Sequence, residues 1–554
     1  MDKNSIFYDI VYTAAGAEHI CTASQCEHFE LKTDIKENVL AVYLELKCSI
    51  EFKSFNIRIP RNISGEDRMF VNGYQSWTDS MEYAPNDKME ELTKLTEVLV
   101  KNPPLKQMGL PKSGDTLFWT YPRTRGVFYG WSYGYIRNEN NVEIYGSLDE
   151  RCGFTVITFD CNKNCVVISK DLEGVTYRKN SKLLELAVIS GEYDSAFDEY
   201  FAKMGVSSRE DKRRTGYTTW YNYYGGITEQ IVNRDLNSIA NQDTHFDCFQ
   251  IDDGYQENIG DWLITDKKKF PNGMKKIAED IHSHNMIAGL WLAPFAGTKR
   301  SKLFANHPEW FIKDEKGRPY NTGHNWGGFY SLDIYNKDAR KYIMNVFDTV
   351  LNDWGYDLVK LDFLYGACVR PMYNKTRGEI MCDAMDLLRE ACGDKLILGC
   401  GVPLMPAFGK VDYCRIGADI SLKWQTNKDI TREDVSTPHA VCNSIFRRHL
   451  DGRVWMNDPD VFLLREKNNQ MNFEQRKLLA KINSTFGSLL FISDDVSEYN
   501  EEQEAVLSEV FAEKNIEIIS AEFDRKNVMH TVFTENGEEK ELRFNIRTGE
   551  ILNF

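Results

Sequence analysis

Between residues 207 and 494, short apolar runs alternate with longer amphipathic ones, and few architectures accept that rhythm. The short runs are GYTTWY, FDCFQID, MIAGLWL, DLVKLDF, KLILGC, DYCRIG, RVWMND and SLLFIS, eight in all, with RVWMND the weakest. Several are separated by helical patterns such as TEQIVNRDLNSIANQ, KDARKYIMNVFDTVLNDWG, TRGEIMCDAMDLLREACG and FEQRKLLAKINSTFG. A strand followed by a helix can return only to a parallel neighbour with right-handed crossover, and eight such units close into a (β/α)8 TIM barrel.

The flanks read differently. Residues 1–206 carry alternating segments such as VLAVYLELKCSIEF, VEIYGSLD and FTVITFD between turn signals, which predicts an N-terminal antiparallel β-sandwich domain. The polar stretch SSREDKRRTG separates it from the barrel, and residues 495–554 read as a short helix followed by the hairpin strands of a small C-terminal β-domain. The expectation is therefore a multidomain α/β plus β chain.

A net charge of −16, from 83 acidic and 67 basic residues, disfavours nucleic acid and anionic membranes as partners and suits a neutral substrate. No run is long and apolar enough for a membrane span, and MDKNSIFYDI lacks the features of a signal peptide, so a cytoplasmic protein is expected. The oligomeric state is left open. The 13 cysteines are scattered and include no CxxC pair, which predicts reduced thiols rather than disulfides or a zinc site, with the Cys21/Cys26 and Cys161/Cys165 spacings due to chance. His282 and His284 fall at the end of a helical pattern and read as a solvated helix end. No metal and no cofactor are expected.

Chemistry in such a barrel collects at the C-terminal ends of its strands. In DLVKLDF, Lys360 and Asp362 are two apart and share one face of the fourth strand. They form either a packing ion pair or a site in which Lys360 keeps Asp362 ionised and holds a hydroxyl. The sixth strand supplies Arg415 and, just beyond it, Asp419. Two carboxylates flanking a glycosidic bond are what its acid-assisted cleavage requires, while an Arg–Asp loop pair is the bland alternative. The second strand ends in Asp252 and Asp253, which suit the vicinal hydroxyls of a sugar better than a cation, since no further oxygen ligands are in evidence. Trp220 and Tyr221 end the first strand and Trp291 the third, where aromatic faces could pack on a pyranose.

In their order, VNGYQSW, TTWYNYY, FQIDDGYQENIGDWL, GLWLAPF, VKLDFLYGA, LILGCGVPL, CRIGAD and VWMNDPD resemble the compact bacterial α-galactosidases of glycoside hydrolase family 36, over nearly the whole chain. The resemblance implies Asp362 as nucleophile and Asp419 as general acid/base of a retaining α-galactosidase that acts on oligosaccharides with terminal α-galactose. It further implies that Asp252 and Asp253 bind the 4- and 6-hydroxyls and that Trp220, Lys360, Cys400 and Arg415 line the galactose subsite, with Trp77 lent by the sandwich domain. Family 27, of the same clan, shares the KxD and RxxxD spacings. Gly401 stands where family 27 enzymes contact the sugar 2-position, so an α-N-acetylgalactosaminidase or another α-glycosidase of the same clan is the nearer alternative, and a non-catalytic carbohydrate-binding barrel the alternative from another class.

Overall fold

The computed structural model describes residues 5–89, 112–116, 118–120, 122–425, 432–525 and 527–553. Eight parallel strands form the central sheet in chain order: Arg214–Thr218, Cys248–Ile251, Ile287–Leu292, Leu358–Leu361, Leu396–Gly399, Tyr413–Arg415, Met456–Asp458 and Leu489–Ile492. Seven lie within predicted runs; the first starts two residues before GYTTWY and stops at Thr218, so that Trp220 and Tyr221 open a short helix, Trp220–Tyr223, beyond the strand end. The first and eighth also pair, in parallel register from Arg214↔Leu489 to Tyr217↔Ile492. Between the seventh and eighth no ladder forms; the Ser488 N–H donates to the Asn457 carbonyl at 2.9 Å and the Phe462 N–H to the Phe491 carbonyl at 3.1 Å. The seventh strand is three residues long, Met-Asn-Asp, and only its first residue is apolar, which is why its sequence signal is weak.

The central strands are apolar almost throughout because helices cover their outer face while side chains fill the interior, so neither face meets water. The second strand, Cys-Phe-Gln-Ile, is wholly buried. The predicted helical patterns become Glu229–Ala240, Lys337–Asp348, Arg377–Cys392 and Phe473–Phe486. The last starts in a capping box, in which the Gln475 N–H donates to Asn472 Oδ1 at 2.9 Å and the Asn472 N–H to Gln475 Oε1 at 3.0 Å. His282 closes the helix Met274–Ser283 and contacts Asp357 Oδ2 at 2.7 Å, at the end of the barrel opposite the strand tips.

Ahead of the barrel, two seven-stranded antiparallel sheets pack as a sandwich. Not all of this region is strand. The helix Tyr193–Met204 follows the strand Ser181–Glu192, and it buries Ala196, Phe197, Tyr200 and Phe201, a helical spacing that a strand reading of the region passes over. The thiol expectation also needs correction: Cys21 and Cys26 are joined by a disulfide, the turn after Ala17–Cys21 bringing their Cα atoms to 6.2 Å. The remaining cysteines are not disulfide-bonded. After the barrel come a helix, Glu501–Phe511, and a four-stranded antiparallel sheet, whose Asn536-Gly537 turn supplies two positive φ angles to the hairpin.

The sandwich reaches the barrel mouth through residues 72–80. The Ser76 N–H donates to the Val402 carbonyl at 2.9 Å, and the wholly buried Arg447 donates to the carbonyls of Ser76 and Ile416, each at 2.7 Å. One guanidinium thus ties the sandwich loop to the loop after the sixth strand.

Candidate active site

Asp362 directly follows the fourth strand and is 9% exposed. Both its oxygens are held by neutral donors: the Phe363 N–H donates to Oδ1 at 2.8 Å and the Trp291 indole N–H to Oδ2 at 3.1 Å. Phe363 sits at φ 56°, a left-handed turn that directs the chain away as soon as the carboxylate is presented. Burial raises the Asp362 pKa above its ordinary value, Lys360 and the Trp291 donor pull it back, and the charge of Asp419 pushes it up again.

Lys360 makes its close contact elsewhere. Its Nζ lies 2.8 Å from Asp252 Oδ2, with both side chains almost fully buried. Burial alone would lower the lysine pKa, but Asp252 holds it above the ordinary value. So the cation expected to pair with Asp362 acts on it at one remove. Asp252 is fixed further by Gln250 at 3.2 Å. Asp253, its neighbour, accepts from Gln256 at 2.6 Å and from the Trp326 indole at 3.1 Å, and burial pushes its pKa up.

On the other side of the mouth, Arg415 ends the sixth strand and faces three carboxylates: Asp419 at 2.9 Å, Asp458 at 3.2 Å and Asp460 at 2.7 Å. Asp458 and Asp460 are fully buried, whereas the Asp419 side chain is 37% exposed. Burial pushes the Asp460 carboxyl up to about 6, with Arg415 opposing and Asp419 and Asp458 reinforcing the rise. Tyr221 donates its hydroxyl to Asp460, and the Ile420 N–H donates to the same carboxylate at 2.9 Å, which anchors the backbone next to Asp419.

Among the aromatic candidates, Trp291 packs between Trp262 and Trp326 with its indole N–H on Asp362. Tyr221 is buried beneath the Arg415 cluster. Trp220 is partly exposed and meets Tyr224 edge-on. Trp77 lies against Phe363 at 5.2 Å between centroids and donates its indole N–H to Cys400 Sγ at 3.3 Å. A side chain on Gly401 would collide with this indole, since its Cβ would stand 2.7 Å from Trp77, and the residue sits at φ 55°. Cys400 itself is buried, and burial lifts its thiol pKa well above the ordinary value.

Three contributors are absent from the sequence candidates. Asp458 and Asp460 fall at the tip of the seventh strand, and the strand-tip rule applied to the MNDPD end would have found them. Trp326 lies in the long insertion between the third and fourth strands, which builds its own three-stranded sheet, and strand counting carries no signal for it.

Comparison with known proteins fits this geometry. Residues 216–379, which hold the first four strands and Asp252, Asp253, Lys360 and Asp362, match the family model described as Melibiase. The chain carries a melibiase domain. An A type blood α-D-galactosamine galactosaminidase from Flavonifractor plautii is 34% identical over 139 residues, or 23% of this chain and 13% of that protein. An α-galactosidase from Pediococcus pentosaceus is 29% identical over 119 residues, or 20% of this chain and 16% of the relative. The matched stretches thus span less than a fifth of these relatives' own lengths. In three dimensions the likeness extends beyond the melibiase domain. The α-galactosidase TtGalA from Thermus thermophilus, solved with p-nitrophenyl α-D-galactopyranoside, superposes with a TM-score of 0.71 at 24% identity, covering 96% of this chain and 98% of that one. AgaA from Geobacillus stearothermophilus gives 0.63 at 13% identity, covering 97% and 81%.

Proposed function

We propose that this chain is a family 36 α-galactosidase that releases terminal α-linked galactose from oligosaccharides by double displacement. The observation that carries the reading is the pairing at the barrel mouth of Asp362, held by two N–H donors, with a more exposed Asp419 near enough for its charge to act on Asp362. The Melibiase match and the α-galactosidase names of the relatives support the substrate class.

In the first step an Asp362 oxygen bonds to the anomeric carbon as the glycosidic C–O bond breaks, and the Asp419 proton passes to the departing oxygen. In the second, Asp419 takes a proton from water, whose oxygen displaces Asp362 and leaves α-galactose. One guanidinium faces three carboxylates in the Arg415 cluster, and burial pushes the Asp460 carboxyl up to about 6. Asp419 is its exposed member and the one a leaving group can reach. The two oxygens of the pair should stand about 5–5.5 Å apart, as retention requires. Asp252 and Asp253 are assigned to the galactose hydroxyls, and Lys360, Arg415, Trp220, Trp291, Trp77 and Cys400 to the walls around the sugar. Tyr221 is better read as the support of Asp460 than as a sugar contact.

The deciding experiment is a proton NMR time course on p-nitrophenyl α-galactoside. Release of α-galactose before its β-anomer is the expected result, and β-first product or absence of turnover would overturn the reading. The galactosaminidase name of the 34% identical relative favours a second reading, action on 2-amino or 2-acetamido α-galactosides. Rates on the matched nitrophenyl glycosides, measured side by side, separate the two. A cytoplasmic location is consistent with the predominance of free thiols.

A further inference from the structure

Far from the barrel mouth, the segment His-Ile-Cys-Thr-Ala-Ser-Gln-Cys-Glu-His, residues 19–28, is symmetric in its ligating residues: each cysteine is two positions from a histidine, and the histidines lie outside. His19 and Cys21 belong to the strand Ala17–Cys21, and two-residue spacing puts them on the same face. The chain then turns, so that Cys26 meets Cys21 and His28 meets His19, with imidazole centroids 4.5 Å apart. A nitrogen from each histidine and a Glu27 oxygen lie within 4.8 Å of one another.

A disulfide needs no histidines around it. Here the two imidazoles meet, each two residues from a bridged cysteine, and one of them is already oriented: the Tyr12 hydroxyl contacts His28 Nδ1 at 3.0 Å, which leaves Nε2 on the side of Glu27, 3.9 Å from its carboxylate. The Tyr12 ring also stacks on His19 at 5.2 Å. A hydrogen bond to the distal ring nitrogen is the usual support of a metal-bound histidine.

We propose that in the reduced chain His19, Cys21, Cys26 and His28 form a tetrahedral zinc site, with two nitrogen and two sulfur ligands. A dithiol reductant opens the site: two reductant thiols and the Cys21–Cys26 bond give two cysteine thiols and one oxidised reductant. Zinc then replaces the two thiol protons, which are released to solvent. The strand Ala17–Cys21 is the terminal strand of one sandwich sheet and Phe29–Lys36 the terminal strand of the other. The site therefore clips the two sheets together at their open edge, with a disulfide doing so in the oxidised chain and a metal in the reduced one.

The test is a Co2+ titration of the full chain, reduced with dithiothreitol and desalted under argon. The expected result is one Co2+ per chain, with tetrahedral d–d bands, a near-ultraviolet thiolate charge-transfer band, and loss of both on adding one equivalent of Zn2+. Cys48→Ser should leave these signals unchanged. Cys21→Ser with Cys26→Ser should abolish the charge-transfer band, and His19→Ala with His28→Ala should weaken metal binding by roughly tenfold or more. Far-ultraviolet circular dichroism of each metal-free variant reports whether it folds. No charge-transfer band in the reduced wild type, an equal band in the cysteine variant, or equal Co2+ affinity in the oxidised chain would each overturn the proposal.

Discussion

The fourth-strand and sixth-strand sides of the barrel mouth hold their carboxylates in contrasting ways. Asp362 is buried, its two oxygens engaged by neutral N–H donors, and its nearest cation is committed to Asp252. Asp419 is more exposed, rests directly on a cation, and shares that cation with two buried acids. The first arrangement fixes an oxygen in place and leaves it underneutralised, as an attacking group needs. The second sets one cation against three acids, with burial pushing Asp460 up to about 6, and leaves Asp419 within reach of solvent. The proposed division of labour between two chemically identical side chains rests on this difference in their surroundings.

The contrast can be broken most severely at Asp362. Asp362→Asn should lower turnover of an α-galactoside by roughly 10⁴-fold or more, because an amide cannot replace the carboxylate as the attacking group. Wild-type turnover in this variant would remove the nucleophile assignment. Asp419→Ala should cost about 10²–10⁴-fold on substrates with poor leaving groups and far less on nitrophenyl glycosides; a loss independent of the leaving group would break the distinction between the two sides.

Lys360→Met tests the buried pair beneath Asp362. It leaves Asp252 buried without its cation and should destabilise the fold by about 3–5 kcal/mol, read from urea unfolding. A smaller effect is expected at Asp460. Because burial raises this carboxyl from its ordinary value to about 6 in the folded chain, folding favours its protonated form. Its destabilising contribution is absent below the unfolded pKa, grows as pH rises towards 6, and is complete above that. Asp460→Asn should therefore flatten, relative to wild type, the fall in thermal midpoint between about pH 4 and 6. The smallest change is expected for Trp77→Phe, which removes the indole donor to Cys400 but retains an aromatic face. It should raise KM severalfold with little change in kcat, and a dominant loss of kcat would place Trp77 closer to the chemistry than the sandwich loop suggests.

The barrel was readable because its signals are local. A strand covered on both faces is apolar along its whole length, and an amphipathic helix repeats every three to four residues, so MIAGLWL and TRGEIMCDAMDLLREACG declare themselves without knowledge of their neighbours. The strand-tip rule then marked Asp252, Asp253, Lys360, Asp362 and Arg415, all of which the fold brings to the mouth. The helix Tyr193–Met204 was less readable because it follows the long strand Ser181–Glu192 directly, with no loop between them. The Cys21–Cys26 bond depends on how one turn folds back, which spacing alone leaves open.

What the sequence by itself determined is the parts: eight strands, their helices, and which ionisable side chains stand at the tips. Only the tertiary structure decided the partners. Lys360 chose Asp252 over the nearer-in-sequence Asp362, Arg415 gathered Asp458 and Asp460 from the seventh strand, and Trp326 and Trp77 arrived from an insertion and from another domain. Periodicity encodes which face of an element is buried, whereas pairings across a closed barrel depend on which elements meet once it shuts, and no local pattern carries that information.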